Sequence, residues 1–242
     1  MSAGWDWFWR GKQTQDGYLL GMREALQAVL FDLDGTLVQT FIDFPGMTRA
    51  TRELAARYDA QDAAADTDDI LEIVQRTAQF VGGERGEQAR REAYHLLEAM
   101  EEKGCAHPVP ISGASELLAR LQQESVRIAI ITRNCRRVAE NLLARQNLPF
   151  DVLVAREDTQ EFKPHPAPVL RACRELGVEP ARCAMIGDLW ADVAAGKAAN
   201  VSLTIGIQWP HDPPQRFVKC TPDVLVASLE EAAPHLLGRT QM

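Results

Sequence analysis

Two aspartates separated by a single residue stand at the end of an apolar run near the start of the sequence. Asp32 lies near the end of the run AVLFDL (28–33), and Asp34 follows that run directly before Gly35. Carboxylates at positions i and i+2 leave a strand on the same side. One carboxylate could attack phosphorus and form an acyl phosphate, while the other protonates the leaving alkoxide and later activates water. Asp-Gly is also a common turn pair, so this motif alone does not decide between chemistry and a surface turn.

Polar residues that could hold a phosphate follow two later apolar runs. Thr132, Arg133 and Asn134 come after the run 126–131, where a hydroxyl and the first N–H groups of a helix would bind an anion. An ordinary helix cap by Thr132 or Asn134 is the alternative reading. Lys163 follows the run 150–155 and could place a positive charge on the phosphate and on Asp32, although most lysines are simply solvated.

A second pair of acids follows the run 182–187. Asp188 and Asp192 are four residues apart and share one face of an opening helical turn. Acids at that position also complement the helix dipole. A carboxylate cluster beside Asp32 requires a cation, and hard oxygen ligands around a phosphate suit Mg²⁺.

The elements that would position these residues alternate along the chain. Short β-branched runs typical of strands buried on both faces occur at 28–33, 126–131, 150–155, 182–187, 201–206 and 223–228. Helical patterns separate them at 113–124, 135–146, 166–176, 189–199 and 229–237. This alternation predicts an α/β fold with an open, parallel, Rossmann-like sheet. Ligands bind at the carboxyl ends of such strands, so the four motifs converge there.

The region between residues 39 and 111 interrupts this alternation and shows no strand pattern. Apolar stripes at 47–58, 70–81 and 89–100 predict three helices, the second ending at Gly82-Gly83. We therefore expect a small, inserted, all-helical cap domain over the site, with its return hinge at 108–110. The predicted division is an N-terminal extension at 1–21, an α/β core at 22–40 and 110–242, and a cap at 41–109. Met22 is a candidate natural start.

Four motifs in this order, each at the end of a predicted strand, make the chain resemble the haloacid dehalogenase-like (HAD) hydrolases. The resemblance is to the branch with a helical cap after the first motif, similar to phosphoglycolate phosphatases and β-phosphoglucomutases. It covers roughly residues 27–40 and 112–228, whereas the cap matches only in position, size and helical character.

The resemblance implies a division of labour between Asp32, Asp34 and Lys163. Asp32 would be the nucleophile and a magnesium ligand, and Asp34 the general acid and base, with its backbone carbonyl also on the metal. Lys163 would bind the transferring phosphoryl group and offset the carboxylate charge. Haloacid dehalogenases lack an acid two positions after the nucleophile, because a halide leaves without a proton. Asp34 therefore favours phosphate ester chemistry.

The same resemblance assigns the remaining site residues. Thr132 would bind the phosphoryl group, and Arg133 and Asn134 would add phosphate or substrate contacts. Asp188 would ligate Mg²⁺, and Asp192 would bind it through water or orient Lys163. The stretch 39–44 departs from the acidic, serine-containing continuation expected of many relatives.

These residues predict a phosphatase that acts on a small phosphorylated metabolite. A phosphomutase with the same motifs is the alternative. A non-catalytic binding protein on the same scaffold is a further alternative, which the retention of all four motifs disfavours. A net charge of −8 disfavours nucleic acid partners, and no apolar run reaches the roughly 18 residues that span a membrane. Oligomeric state carries no sequence signal.

The cysteines indicate a cytoplasmic protein. There are five, without a CxxC pair, which disfavours disulfides and a zinc site. Arginines at 133, 136 and 137 could lower the pKa of Cys135, as in a reactive thiol.

Overall fold

A computed structural model describes residues 26–210 and 215–237. The expectations about residues 1–21 and Met22 lie outside these ranges. The strands are β1 (Ala28–Phe31), β2 (Val38–Gln39), β3 (Val109–Pro110), β4 (Arg127–Ile131), β5 (Val152–Val154), β6 (Cys183–Gly187), β7 (Leu203–Ile207) and β8 (Val224–Val226). The helices are α1 (Phe44–Arg57), α2 (Ile70–Val81), α3 (Gly83–Gly104), α4 (Ala114–Gln123), α5 (Arg136–Arg145), α6 (Ala167–Leu176), α7 (Trp190–Ala198) and α8 (Leu229–Leu236).

Six of the strands form one parallel sheet, with β1 in its centre. The order is β5-β4-β1-β6-β7-β8, and each neighbouring pair runs parallel. Successive residues of β1 alternate between two hydrophobic clusters, Val29 and Phe31 on one face and Ala28 and Leu30 on the other. Burial on both faces explains why β1 is a continuous apolar run. The predicted α/β fold is confirmed.

Helices α1, α2 and α3 form the cap between β2 and β3. Their buried residues Met47, Leu54, Leu71 and Leu97 belong to the same hydrophobic cluster as one face of the sheet. Asp69 begins α2, where its carboxylate accepts hydrogen bonds from the N–H groups of residues 71 and 72. The predicted helical cap domain is confirmed, while its boundaries at 41 and 109 stay a prediction.

A short antiparallel ribbon joins the two connections between the cap and the core. Val38 pairs with Pro110, and Gln39 pairs with Val109. The expectation that residues 39–111 contain no strand is wrong at both ends of that segment. Two-residue strands are too short to show periodicity, and Pro110 counts against a strand because it donates no hydrogen bond.

None of the helices within 26–210 and 215–237 has both the length and the apolar character needed to cross a bilayer.

Candidate active site

A buried lysine connects the ends of three strands. Lys163 lies beyond β5, and its Nζ donates to Asp32 Oδ1 at 2.5 Å, where β1 ends. The same Nζ lies 2.7 Å from Asp192 Oδ1 and donates to the carbonyl oxygen of Ile131 at 2.8 Å. Asp192 Oδ2 in turn accepts from the N–H of Leu189 at 3.0 Å. The structure therefore brings together residues that are up to 160 positions apart in the sequence.

Burial and neighbouring charges set the protonation of Lys163 and Asp32. Burial opposes the charge on Lys163, but Asp192 and Asp32 outweigh it and raise the pKa of the ammonium group, so it stays charged. Burial raises the pKa of Asp32 to about 7, with Asp192 adding to the rise and Lys163 opposing it. Removing Lys163 would therefore leave Asp32 and Asp192 buried without compensation, whereas Lys163 keeps Asp192 as a partner when Asp32 is removed.

Asp34 is held by two side chains from different parts of the core. Thr40 Oγ1 donates to Asp34 Oδ1 at 2.7 Å, and Asn134 Nδ2 donates to Oδ2 at 2.5 Å. Burial raises the pKa of Asp34 to about 6, against the effect of these two hydrogen bonds. Asn134 was predicted as a site residue. Thr40 was missed, because it lies in the stretch 39–44 that departs from the expected family pattern.

Three carboxylates at this edge of the sheet form a group that fits a metal ion. Ligand oxygens of Asp32, Asp188 and Asp192 all lie within 4.8 Å of one another. Asp188 Oδ1 is buried without a hydrogen-bond partner. Burial and the neighbouring Asp32 and Asp192 raise the pKa of Asp188, so an added positive charge would relieve their repulsion. The side chain of Asp34, the fourth predicted metal residue, is not part of this group. The prediction assigned its backbone carbonyl to the metal.

The segment after β4 separates its three predicted site residues. Thr132 is buried, and its Oγ1 accepts from the N–H of Asn134 at 3.2 Å. Arg133 instead extends to the cap, where its Nη2 lies 2.6 Å from Asp69 Oδ1. The guanidinium of Arg133 therefore bridges the core and the cap.

Two residues that sequence reasoning missed come from the segment after β7. Trp209 Nε1 donates to the carbonyl oxygen of Gly35 at 2.7 Å. Arg216 Nη2 lies 2.8 Å from Asp188 Oδ2. Gly35 has a φ of 78°, and a Cβ there would lie 2.5 Å from Asp188 Oδ2, so both conformation and space require glycine. Trp209 and Arg216 thereby support the turn that carries both acids of the first motif.

A cavity of about 450 Å³ lies between the core and the cap, over these groups. This volume lies within the range of roughly 300–1,000 Å³ typical of small-molecule sites. Its lining includes Asp32, Asp34 and Lys163 from the core and Phe44, Asp69 and Ile70 from the cap.

The suggestion that nearby arginines lower the pKa of Cys135 is wrong. Burial raises the pKa of its thiol to about 12, which outweighs the nearby arginines. The cysteine is buried beside the N-terminus of α5 and is protonated at neutral pH.

Comparisons with known proteins agree with this architecture. The family of haloacid dehalogenase-like hydrolases matches residues 26–200. The chain is 30% identical over 209 residues to an N-acetylmuramic acid 6-phosphate phosphatase of Pseudomonas aeruginosa, covering 81% of this chain and 89% of that one. It is 30% identical over 222 residues to a plasmid phosphoglycolate phosphatase of Cupriavidus necator, covering 87% and 92%.

A solved structure shares the fold. CbbY of Rhodobacter sphaeroides, crystallised in complex with phosphate, gives a TM-score of 0.59 at 23% identity and covers 85% of this chain and 96% of that chain. The prediction of an enzyme of the phosphoric monoester hydrolase class is confirmed by these relatives. The chain belongs to the haloacid dehalogenase-like hydrolase family.

Proposed function

We propose that this protein is a Mg²⁺-dependent phosphatase that hydrolyses a small phosphorylated metabolite through an aspartyl phosphate on Asp32. The observation that supports this most directly is the buried arrangement in which Lys163 Nζ lies 2.5 Å from Asp32 and 2.7 Å from Asp192. A lysine held this way neutralises charge where a phosphate dianion would approach the nucleophile.

In the first step, a carboxylate oxygen of Asp32 attacks phosphorus and the bond from phosphorus to the ester oxygen breaks. The leaving alkoxide takes a proton from Asp34, whose raised pKa of about 6 lets a fraction of it hold that proton near neutral pH. Thr40 and Asn134 fix both oxygens of that carboxyl group. In the second step, Asp34 accepts a proton from water, which attacks the phosphorus and releases Asp32.

The metal proposal rests on the cluster of three carboxylates, Asp32, Asp188 and Asp192, and on Asp188 Oδ1, which is buried without a hydrogen-bond partner. Asp32, the backbone carbonyl of Asp34 and Asp188 would hold Mg²⁺. When bound, the ion would neutralise charge on the transferring phosphoryl group. Both oxygens of Asp192 are already engaged, with Lys163 and with the N–H of Leu189, which favours a role in orienting Lys163 over direct ligation. Thr132 completes the proposed phosphate site.

The test is release of inorganic phosphate from a panel of small phosphomonoesters, with Mg²⁺ and with EDTA. We expect release that depends on Mg²⁺ and that falls by on the order of 10³-fold or more in Asp32→Asn, which removes the nucleophile without changing shape. Asp62→Asn, at an exposed cap position, is the matched control and keeps full activity. Substantial activity in Asp32→Asn would refute the mechanism. Conversion of the ester to an isomer without net phosphate release would indicate the phosphomutase instead.

A further inference from the structure

Under the proposed mechanism, the part of the cavity next to the cap is where the group that leaves from phosphorus would bind. Phe44, Thr48, Asp69 and Ile70 line it from the cap, and Gln39 lines it from the ribbon. Asp34, which delivers the proton to the leaving oxygen in the proposed mechanism, lines the same cavity. We call these five residues, together with Arg133, the leaving-group pocket. Their chemistry indicates what that group is.

Every cation that lines the cavity within the described residues is already paired with a carboxylate. The pairs are Lys163 with Asp32, Arg133 with Asp69, Arg156 with Glu101, and Arg216 with Asp188. In the leaving-group pocket itself, the charge of Arg133 is balanced by Asp69 at 2.6 Å. A second anionic group on the substrate would therefore meet the Asp69 carboxylate along with the guanidinium. Juxtaposed like charges disfavour binding.

The same pocket suits hydroxyl groups, which both donate and accept hydrogen bonds. Arg133 lines the cavity and engages Asp69 through Nη2, and a guanidinium carries five N–H donors, so it has donors beyond the one that binds Asp69. Gln39 donates through Nε2 to its neighbouring carbonyl, which leaves its Oε1 as an acceptor. Phe44 is 50% exposed and offers an apolar ring to the C–H face of a carbon skeleton.

We propose that the leaving group is a neutral, polyhydroxylated carbon skeleton, a sugar or sugar alcohol, and that the enzyme discriminates against phosphorylated carboxylic acids. This inference rests on the proposed phosphatase function and names its substrate class. The cavity of about 450 Å³ agrees with it, because an ester of two or three carbons would leave most of that space to water.

The test compares two esters that differ at one end only. Glucitol 6-phosphate and 6-phosphogluconate share a six-carbon chain and the phosphate position, but the first ends in a hydroxymethyl group and the second in a carboxylate. We expect kcat/KM with Mg²⁺ to be at least about tenfold higher for glucitol 6-phosphate. Equal values, or a preference for the acid, would overturn the inference.

A single substitution should then move this preference. Asp69→Asn removes the charge that balances Arg133, while Asn remains a good N-cap for α2, so the fold is kept. We expect the ratio of kcat/KM for neutral over acidic ester to fall by about tenfold, mainly through a lower KM for the acid. Asp66→Asn is the matched control, since Asp66 pairs with Arg76 on the cap surface, is 77% exposed in its side chain and lies off the cavity. An unchanged ratio in Asp69→Asn would refute the charge argument.

Failure of the inference and failure of the proposed function give different results. Phosphate release that favours 6-phosphogluconate or phosphoglycolate would leave the phosphatase intact and reject only the neutral leaving group. No release from any ester in the panel, neutral or acidic, would reject the proposed function and this inference with it.

Discussion

A buried ion pair between the cap and the core offers the most sharply defined test of what stabilises this fold. Arg156 follows β5 and Glu101 lies near the end of α3, and their side chains are 1% and 2% exposed. Glu101 Oε2 also accepts from the N–H of Cys135 at 3.0 Å. The Arg156 guanidinium lies 4.9 Å from the ring centroid of Tyr94. Arg156→Met would thus remove the charge partner, one hydrogen bond and a cation–π contact at once.

The expected cost follows from leaving Glu101 charged and buried. Breaking a buried pair costs about 3–5 kcal/mol. For a chain of this size, roughly 2–4 °C of Tm per kcal/mol corresponds to a fall of about 6–20 °C. In Arg90→Met, a matched control that breaks the half-exposed Arg90–Glu87 pair on the same helix, the expected cost is only about 0–1 kcal/mol.

The assay is urea unfolding followed by circular dichroism, on the wild type, Arg156→Met, Glu101→Gln and the double variant. Because the double variant leaves no buried charge, we expect it to be more stable than Arg156→Met alone, with a coupling energy above about 2 kcal/mol. Arg156→Met within about 1 kcal/mol of the wild type would refute the reasoning, and so would additive effects of the two single changes.

Two further predictions concern charged residues at the ends of the sheet strands. Arg216→Gln should tighten Mg²⁺ binding by about tenfold in calorimetric titrations without substrate, because it removes a positive charge 2.8 Å from Asp188 Oδ2; unchanged or weaker binding would contradict this. Asp223 should contribute stability that acid removes. Partial burial raises its pKa, but hydrogen bonds from Thr204 and the charge of Lys197 outweigh burial and hold the pKa below 3.8. A lowered folded-state pKa means a contribution fully present above pH 3.8 and lost as the pH falls through the folded value. The Tm difference between wild type and Asp223→Asn should therefore be largest near neutral pH and shrink below pH 4, and a pH-independent difference would argue against it.

The parallel sheet was predictable because its inner strands β1, β6 and β7 are buried on both faces. A run such as residues 182–187 has to be continuously apolar, and the structure forms β6 at Cys183–Gly187. The core helices begin and end within about two residues of their predicted bounds, since capping and periodicity are local signals. Asp32, Asp188 and Asp192 then converge because parallel strands end at one edge, a rule that needs no knowledge of side-chain packing.

Residues whose partners lie far away in the sequence were not predictable in the same way. Thr40, Trp209 and Arg216 lie in segments without helical or strand periodicity, and Trp209 contacts a carbonyl 174 positions earlier. Arg133 was predicted to bind phosphate or substrate because of its place in a motif. The direction of its side chain depends on Asp69, which is 64 residues away in the sequence. These polar residues reach the site only because the fold places a distant partner beside them, and the local sequence gives no sign of that partner.

The contacts between cap and core differ in strength along the cavity, and this difference bears on how substrate enters. The buried Glu101–Arg156 pair ties α3 to the segment after β5, and Arg145 of α5 donates to the carbonyl oxygen of Cys105, directly after α3, at 3.1 Å. The Arg133–Asp69 pair, which links the core to the start of α2, has side chains 29% and 32% exposed. A partly exposed pair separates at lower cost than a buried one, because water can reach both charges. We therefore expect the cap to open at the N-terminus of α2 and to pivot about α3. The pair that breaks on opening is then the one that surrounds the leaving group on closure, so substrate recognition and cap closure draw on the same contact.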